Sequence, residues 1–386
     1  VLLSVSTSND STPVSAVDAQ GESRHAGARK VLIYRLGSLG DTVVALPSLH
    51  LIARTFPDAD RALLTNLPVN STAPPAAAVL GSSSLVHRYF HYPVSTRNFL
   101  LLGQLALTIR RYKPDVLIYL AAPRGEAALQ RDIRFFRLCG IRTMYGLPIG
   151  ELAANLPPAP GSNLYESEAH RLARTLRPLG DAQLEDPSSW DLQLTREELA
   201  VGEDLAARFD GNPYIVCAPG CKAQANDWED SNWSALFTQL SARLPHLGLL
   251  LTGASSDFAR NERLAQSWTG KAVNVAGTTD PRQAAAMFVH AAMYIGPDSG
   301  PMHIAAAIGT PCVSIFSARV RPGIWFPHGQ QSNTLYHRTD CSPCGLTTCL
   351  EEKKRCILSI QPSEPLAIAL RILEPAFRSR GMTQMS

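Results

Sequence analysis

No apolar run in this chain approaches the ~20 residues that a helix needs to cross a bilayer. The longest candidate, residues 99–107, is short and amphipathic. Charge is scarce at 18% of residues, and the net value of +3 is too small to argue for a nucleic-acid partner. Residues 1–28 lack both a basic n-region and a long apolar h-region, so a disordered tail is expected there, not a signal peptide. The eight cysteines do not have the spacing of a secreted disulfide framework, which points to a reducing, cytosolic compartment. What is present is a 45% hydrophobic fraction over 386 residues, enough for two ordinary domains with sizeable cores.

The first half alternates in kind. Apolar segments at 30–36, 61–65, 85–90, 115–120 and 142–147 predict strands, and residues 42–56, 97–112 and 130–139 predict helices between them. Pro47 marks a place where the first helix kinks or restarts. After a Pro- and Ala-rich loop at 148–161, residues 163–179 read as helix and 181–191 as linker. A second series follows, with strands at 214–218, 247–252, 272–276, 293–295, 312–316 and 334–337. Its helices are expected at 233–244, 257–268, 281–291 and 302–308, with a closing helix at 365–378. The expected class is α/β: two Rossmann-like, doubly wound parallel-sheet domains facing a cleft, at residues 29–185 and 186–386. Ligands bind such folds at the carboxyl ends of the strands.

The richest stretch is 293–316. A short strand runs into Gly296-Pro297-Asp298-Ser299-Gly300, and a helix follows with Pro301 and His303 in its first turn. Free N–H groups and the positive dipole end of that helix make a seat for a phosphate or diphosphate. The same pattern also fits a plain turn capped by Asp298 or Ser299. A related turn, Arg35-Leu36-Gly37-Ser38-Leu39-Gly40-Asp41, puts a carboxylate at the mouth of the first domain. Ser38 and Gly40 would lie beside a substrate there, and Asp41 is placed either as general base or as a capping carboxylate.

Lys222, after Pro219-Gly220-Cys221, is either a point charge for a diphosphate or a solvated lysine. Residues 253–257 offer hydroxyls or a carboxylate to a ribose. Cys341, Cys344, Cys349 and Cys356 fall within one loop, a spacing that suits a structural zinc or iron site as well as it suits unligated thiols. Lys353, Lys354 and Arg355 are placed to stabilise thiolates.

In matching order, residues 35–41 with Leu46-Pro47-Ser48-Leu49, the Pro219-Gly220 turn with Trp228, and residues 296–311 resemble the heptosyltransferases of glycosyltransferase family 9. The resemblance runs from Lys30 to the C-terminus. It implies a GT-B fold with an N-terminal acceptor domain and a C-terminal nucleotide-sugar domain. It also implies ADP-heptose as donor, a lipopolysaccharide-core sugar as acceptor, inversion, and no cofactor or divalent metal for catalysis. Asp41 falls on the family's base, and Asp298, Ser299, Gly300 and His303 on its donor contacts. One departure is Asn226, where many members carry lysine; Lys222 is the candidate replacement.

Three readings follow. The first is heptosyl transfer to a lipopolysaccharide core at the cytoplasmic face of the inner membrane. The second keeps the fold but uses a protein, another glycan or another nucleotide-sugar. The third is a nucleotide-sugar-binding module without turnover, which the presence of both Asp41 and His303 disfavours. Membrane contact is expected to be peripheral at most, through residues 124–142 or 99–107, which equally fit a solvated face and a core helix.

Overall fold

The computed structural model describes residues 27–66, 74–81, 83–92 and 98–379. The expected tail at 1–28 lies outside them except for its last two residues. The chain opens with β1 (Lys30–Tyr34), α1 (Leu39–Val44), α2 (Leu46–Thr55), β2 (Asp60–Asn66), α3 (Ala76–Leu80) and β3 (Arg88–Tyr92). Next come α4 (Phe99–Tyr112), β4 (Val116–Tyr119), α5 (Glu126–Leu138) and β5 (Thr143–Tyr145). All pairings are parallel, in the order β3-β2-β1-β4-β5. The helix foreseen at 42–56 does restart: Pro47 sits in the first turn of α2, where its missing N–H costs nothing.

Two helices then lead to the second sheet, α6 (Glu168–Thr175) and α7 (Arg196–Ala207). The helix expected at 163–179 begins only at Glu168, because the Ser167 side chain caps it and accepts from the His170 N–H. Upstream, Tyr165 donates its N–H to the Pro322 carbonyl, so that segment is tied to the other half of the chain. α7 was not foreseen. A reciprocal cap starts it, with the Glu198 N–H on Thr195 Oγ1 and the Thr195 N–H on Glu198 Oε2.

The second sheet is laid down by β6 (Tyr214–Cys217), α8 (Asp230–Arg243), β7 (Gly248–Leu251), α9 (Phe258–Ala265) and β8 (Ala272–Asn274). It continues through α10 (Pro281–Val289), β9 (Met293–Pro297), α11 (Gly300–Ala307), β10 (Cys312–Phe316) and β11 (Thr334–Tyr336). α12 (Arg355–Leu358) and α13 (Ser363–Ser379) close the chain. Strand order is β11-β10-β9-β6-β7-β8, again parallel.

Side-chain alternation along the strands sets the layers. Leu32, Tyr34, Leu117 and Tyr119 face α4 and α5, whereas Ile215, Leu249, Ile295 and Val313 face α8 and α13. The opposite faces of both sheets share one continuous core, which includes Val31, Ile33, Val216, Tyr294 and the apolar sides of α1, α2, α10 and α11. The halves are therefore packed against each other through helices. Arg282 of α10 pins this contact. Its buried guanidinium donates to the carbonyls of Val79 (3.1 Å) and Leu192 (2.9 Å) and pairs with Glu198. A buried cation is tolerated only when so fully satisfied.

Candidate active site

β1 delivers Arg35 into the interior. Its Nη1 donates to the Leu120 carbonyl at 2.6 Å, and its Nε and Nη2 donate to the Asp41 carbonyl at 3.2 and 2.7 Å. The turn is thereby closed over a fixed charge. Ser38 starts α1, and both its N–H (2.7 Å) and its hydroxyl (3.0 Å) donate to Asp41 Oδ2. Of the two sequence readings of Asp41, the structure shows the cap. Oδ2 serves the cap, while Oδ1 has no hydrogen-bond donor among the described residues and lies 3.7 Å from Arg35 Nη2 on a side chain 27% exposed. Behind Arg35 stands Glu168 at 3.8 Å, itself gripped by Arg171 through two 2.7 Å bonds.

The second turn is built alike. β9 ends at Pro297, Ser299 takes the cap position with extended backbone, and α11 begins at Gly300 with a proline in its first turn. Ser299 Oγ is buried near the Tyr294 hydroxyl and makes no well-formed hydrogen bond among the described residues. Desolvation pushes Asp298 up to about 6; the Arg319 charge and the Asn226 amide, 3.3 Å away, pull the other way, and Asp41 adds repulsion. Burial likewise holds His303 down, at about 4, with the Asp41 charge opposing. At neutral pH the ring is uncharged by roughly a thousandfold. It can serve as a neutral hydrogen-bond partner, not as a cation.

The two turns abut. A Cβ on Gly40 would come within 2.9 Å of the His303 ring, and one on Gly300 within 2.4 Å of the Leu39 side chain. Only glycine lets the backbones approach so closely. Asp41, Ser38, Gly40, Asp298, Ser299, Gly300 and His303 are thus brought to one place at the carboxyl ends of both sheets.

Lys222 is not among them. It is exposed and has no partner among the described residues. Asn226, expected from the resemblance to stand where many family members carry lysine, turns its amide NH2 to Asp298 and its carbonyl to the Ser317 hydroxyl. Arg35 and Arg319 are the residues that sequence reasoning left without a role. Arg35 lay inside a motif already singled out. Arg319 gave no local signal, because pairing of β10 beside β9 is what carries it to Asp298.

All four loop cysteines, together with Arg319 and Lys354, line one small cavity of about 10 Å³. Yet among the described residues no three His, Cys, Asp or Glu side chains are grouped to hold a metal. The Lys354 N–H points to Cys349 Sγ at 3.4 Å. Of the three cations expected to stabilise thiolates, Lys353 is exposed without a partner among the described residues. The other two are engaged elsewhere: Lys354 Nζ sits 2.9 Å from Glu229, and Arg355 pairs with Glu352 at 2.7 Å. Nearby carboxylates win these cations because charge–charge attraction exceeds a cation–thiol contact.

Two parallel-sheet α/β domains facing each other, with glycine-rich helix starts meeting between them, make the GT-B architecture. That this is a transferase enzyme is supported by the matches to glycosyltransferases that follow. Residues 167–355 match glycosyltransferase family 9 (heptosyltransferase). Lipopolysaccharide heptosyltransferase 3 of Escherichia coli is 26% identical over 305 residues, spanning 72% of this chain and 81% of that protein. Two solved structures share the fold. A family 9 glycosyl transferase from Veillonella parvula superposes with a TM-score of 0.66 at 14% identity, covering 90% of this chain and 98% of that one. The ADP-heptose lipopolysaccharide heptosyltransferase II of E. coli gives 0.62 at 17%, covering 90% and 99%. The family model thus covers just under half of this chain.

Proposed function

We propose that this chain moves a heptose from ADP-heptose to a lipopolysaccharide-core sugar in the cytoplasm, with inversion and with no divalent metal taking part. Residues 29–185 bind the acceptor and residues 186–386 the donor. The observation that carries the reading is the abutment of the two turns, which sets a carboxylate oxygen free of the cap opposite a helix start with a spare hydroxyl.

The acceptor hydroxyl gives its proton to Asp41 Oδ1 as its oxygen attacks the anomeric carbon from the face opposite the diphosphate. The bond from that carbon to the β-phosphate oxygen breaks, and its electron pair leaves with ADP. Charge growing on the diphosphate is met by the N–H groups of the Gly300 turn and the Ser299 hydroxyl, with neutral His303 as a further hydrogen-bond partner. Lys222 closes on the diphosphate when donor is bound. Helix-start dipoles and fixed donors supply the stabilisation that a metal supplies elsewhere.

Titration calorimetry with ADP, ADP-heptose, UDP and GDP tests the donor. Preference for the adenine pair, abolished in Asp298→Ala, supports the reading; preference for UDP or GDP sinks the heptose assignment. One observation favours a second reading with another nucleotide-sugar or a protein or other glycan acceptor: Asn226 spends both ends of its amide inside the protein. Separately, Cys341, Cys344, Cys349 and Cys356 line one cavity but are not grouped to hold an ion in this structure, so a structural zinc or iron there requires their thiolates to close on it. Metal analysis of the purified chain with its Cys349→Ser variant tests this; metal-free protein of undiminished thermal stability would overturn it.

A further inference from the structure

α4 and α5 form the outer layer of the first sheet. They bury Leu105, Ile109 and Tyr112 from α4, and Leu129, Ile133 and Phe136 from α5. An ordinary surface helix would turn polar residues outward. Here the first turn of α4 presents Phe99 (86% exposed), Leu100 (78%) and Leu101, with Leu107 beyond it and Leu138 (73%) at the end of α5. Scattered exposed leucines need no explanation, but three consecutive apolar residues at one helix tip do.

Charge is the second feature. From Ala62 to Pro114 the chain contains no aspartate or glutamate. Over residues 62–142 there are ten lysines and arginines against three acids, a net +7 where the whole chain has +3. Arg110, Arg111, Lys113, Arg131, Arg134 and Arg137 are all exposed on this layer. Of the three acids, Asp132 is taken up by Tyr119 and Arg124, and Asp115 by the N–H groups of Arg29 and Lys30. Phe99, Leu100 and Leu101 stand at the start of α4, Arg110, Arg111 and Lys113 at its far end beside Leu138, and Arg131 and Arg134 between them on α5, so apolar and basic side chains alternate along the layer. Such a face complements an anionic lipid surface lying along it, with the ring and leucines entering the headgroup boundary while the arginines meet phosphates. No described helix is long and apolar enough to cross a membrane, so attachment would be lateral.

Orientation fits. In a parallel sheet, the helix after each strand starts at the edge where that strand ends. The tip of α4 and the Asp41 turn therefore share the carboxyl edge of the first sheet.

We propose that the α4–α5 layer, led by Phe99, Leu100 and Leu101, docks on an anionic bilayer surface and presents the Asp41 edge of the cleft to lipid-anchored acceptors. The proposal rests on the reading of the acceptor as a lipid-linked glycan, and its test is separable from that reading. The whole chain is sedimented with vesicles of phosphatidylcholine alone or with 30% phosphatidylglycerol, at low and at 0.5 M salt. Wild type is expected on the anionic vesicles at low salt only. Phe99→Ser/Leu100→Ser should lower partitioning tenfold or more, and Arg131→Glu/Arg134→Glu at least as much, at roughly fivefold for each arginine removed. Both variants should keep wild-type circular dichroism and ADP affinity.

Equal binding to both vesicle types, or unchanged partitioning of both variants, overturns the proposal. So does concentration-dependent self-association that Phe99→Ser/Leu100→Ser abolishes while wild type ignores vesicles, since the face would then join copies of the chain. Vesicle binding without ADP binding would sink the donor assignment and leave the surface standing; ADP binding without vesicle binding would do the reverse.

Discussion

The turns at residues 37–41 and 296–303 are the same device made twice, a strand end, a glycine-rich bend and a short helix, with opposite electrostatics. In the first, the carboxylate receives two hydrogen bonds from Ser38 and has Arg35 beside it. In the second, Asp298 has one long hydrogen bond from Asn226, a desolvated position and a neighbouring carboxylate, and its pKa rises to about 6. In the proposed function, the first turn holds a negative charge that later accepts a proton. The other leaves its N–H groups and a hydroxyl unspent, as an incoming anion requires. On that proposal, what separates base from anion seat is how much of each turn's hydrogen-bonding capacity is already used.

The largest effect should come from neutralising the first turn. Asp41→Asn keeps an acceptor for the Ser38 cap but cannot take the proton, so turnover should fall roughly 10²- to 10⁴-fold with ADP affinity within about twofold. Transfer at the wild-type rate would end the assignment of Asp41 as base. Next is the close approach itself. Gly300→Ala drives a methyl into Leu39 and should cost on the order of 1–3 kcal/mol of overpacking with a parallel loss in kcat/KM. Leu39→Ala in the same chain should return part of the activity. If it returns none, the turns do not work as an abutting pair.

Much of this was readable in advance. The strands in both halves are compact apolar runs, and the two turns carry their own punctuation, so fold class and paired turns follow from local chemistry. The misses have a common cause, in that distant partners decided them. Residues 163–166 were given to a helix because nothing nearby reveals the pairing of Tyr165 with Pro322. Lys354 was assigned to the thiols because its neighbours in sequence are cysteines, yet the fold brings Asp227 and Glu229 to its ammonium. α7 is the exception. Thr195-x-x-Glu198 is a legible cap, overlooked beside linker-like residues.

A smaller effect lies in the pH dependence of stability. The Asp298 carboxyl is raised in the fold above its ordinary 3.8, so the native state binds the extra proton. Its contribution is fully present in acid and is lost as pH rises from about 4 through about 6. Asp298→Asn should flatten the thermal-stability profile across that window relative to wild type. A difference of opposite slope, or none, would mean that the carboxyl is not desolvated.

The subtlest comparison is between the two cations available to the second turn. Arg319 already acts on Asp298, and its guanidinium is fixed by the Leu346 and Gly345 carbonyls, so little freedom is lost when a diphosphate arrives. Lys222 is exposed and must travel. Calorimetry with ADP should therefore find Arg319→Ala weaker by roughly tenfold and Lys222→Ala by only a few fold, in keeping with the stronger charge-assisted bonds of a pre-organised guanidinium. The reverse ranking would mean that Lys222, once closed on the diphosphate, neutralises more of its charge than the fixed guanidinium does. Adding Asn226→Lys to Arg319→Ala separates the cases further. Recovery of affinity would show that a cation at either place serves the same phosphate.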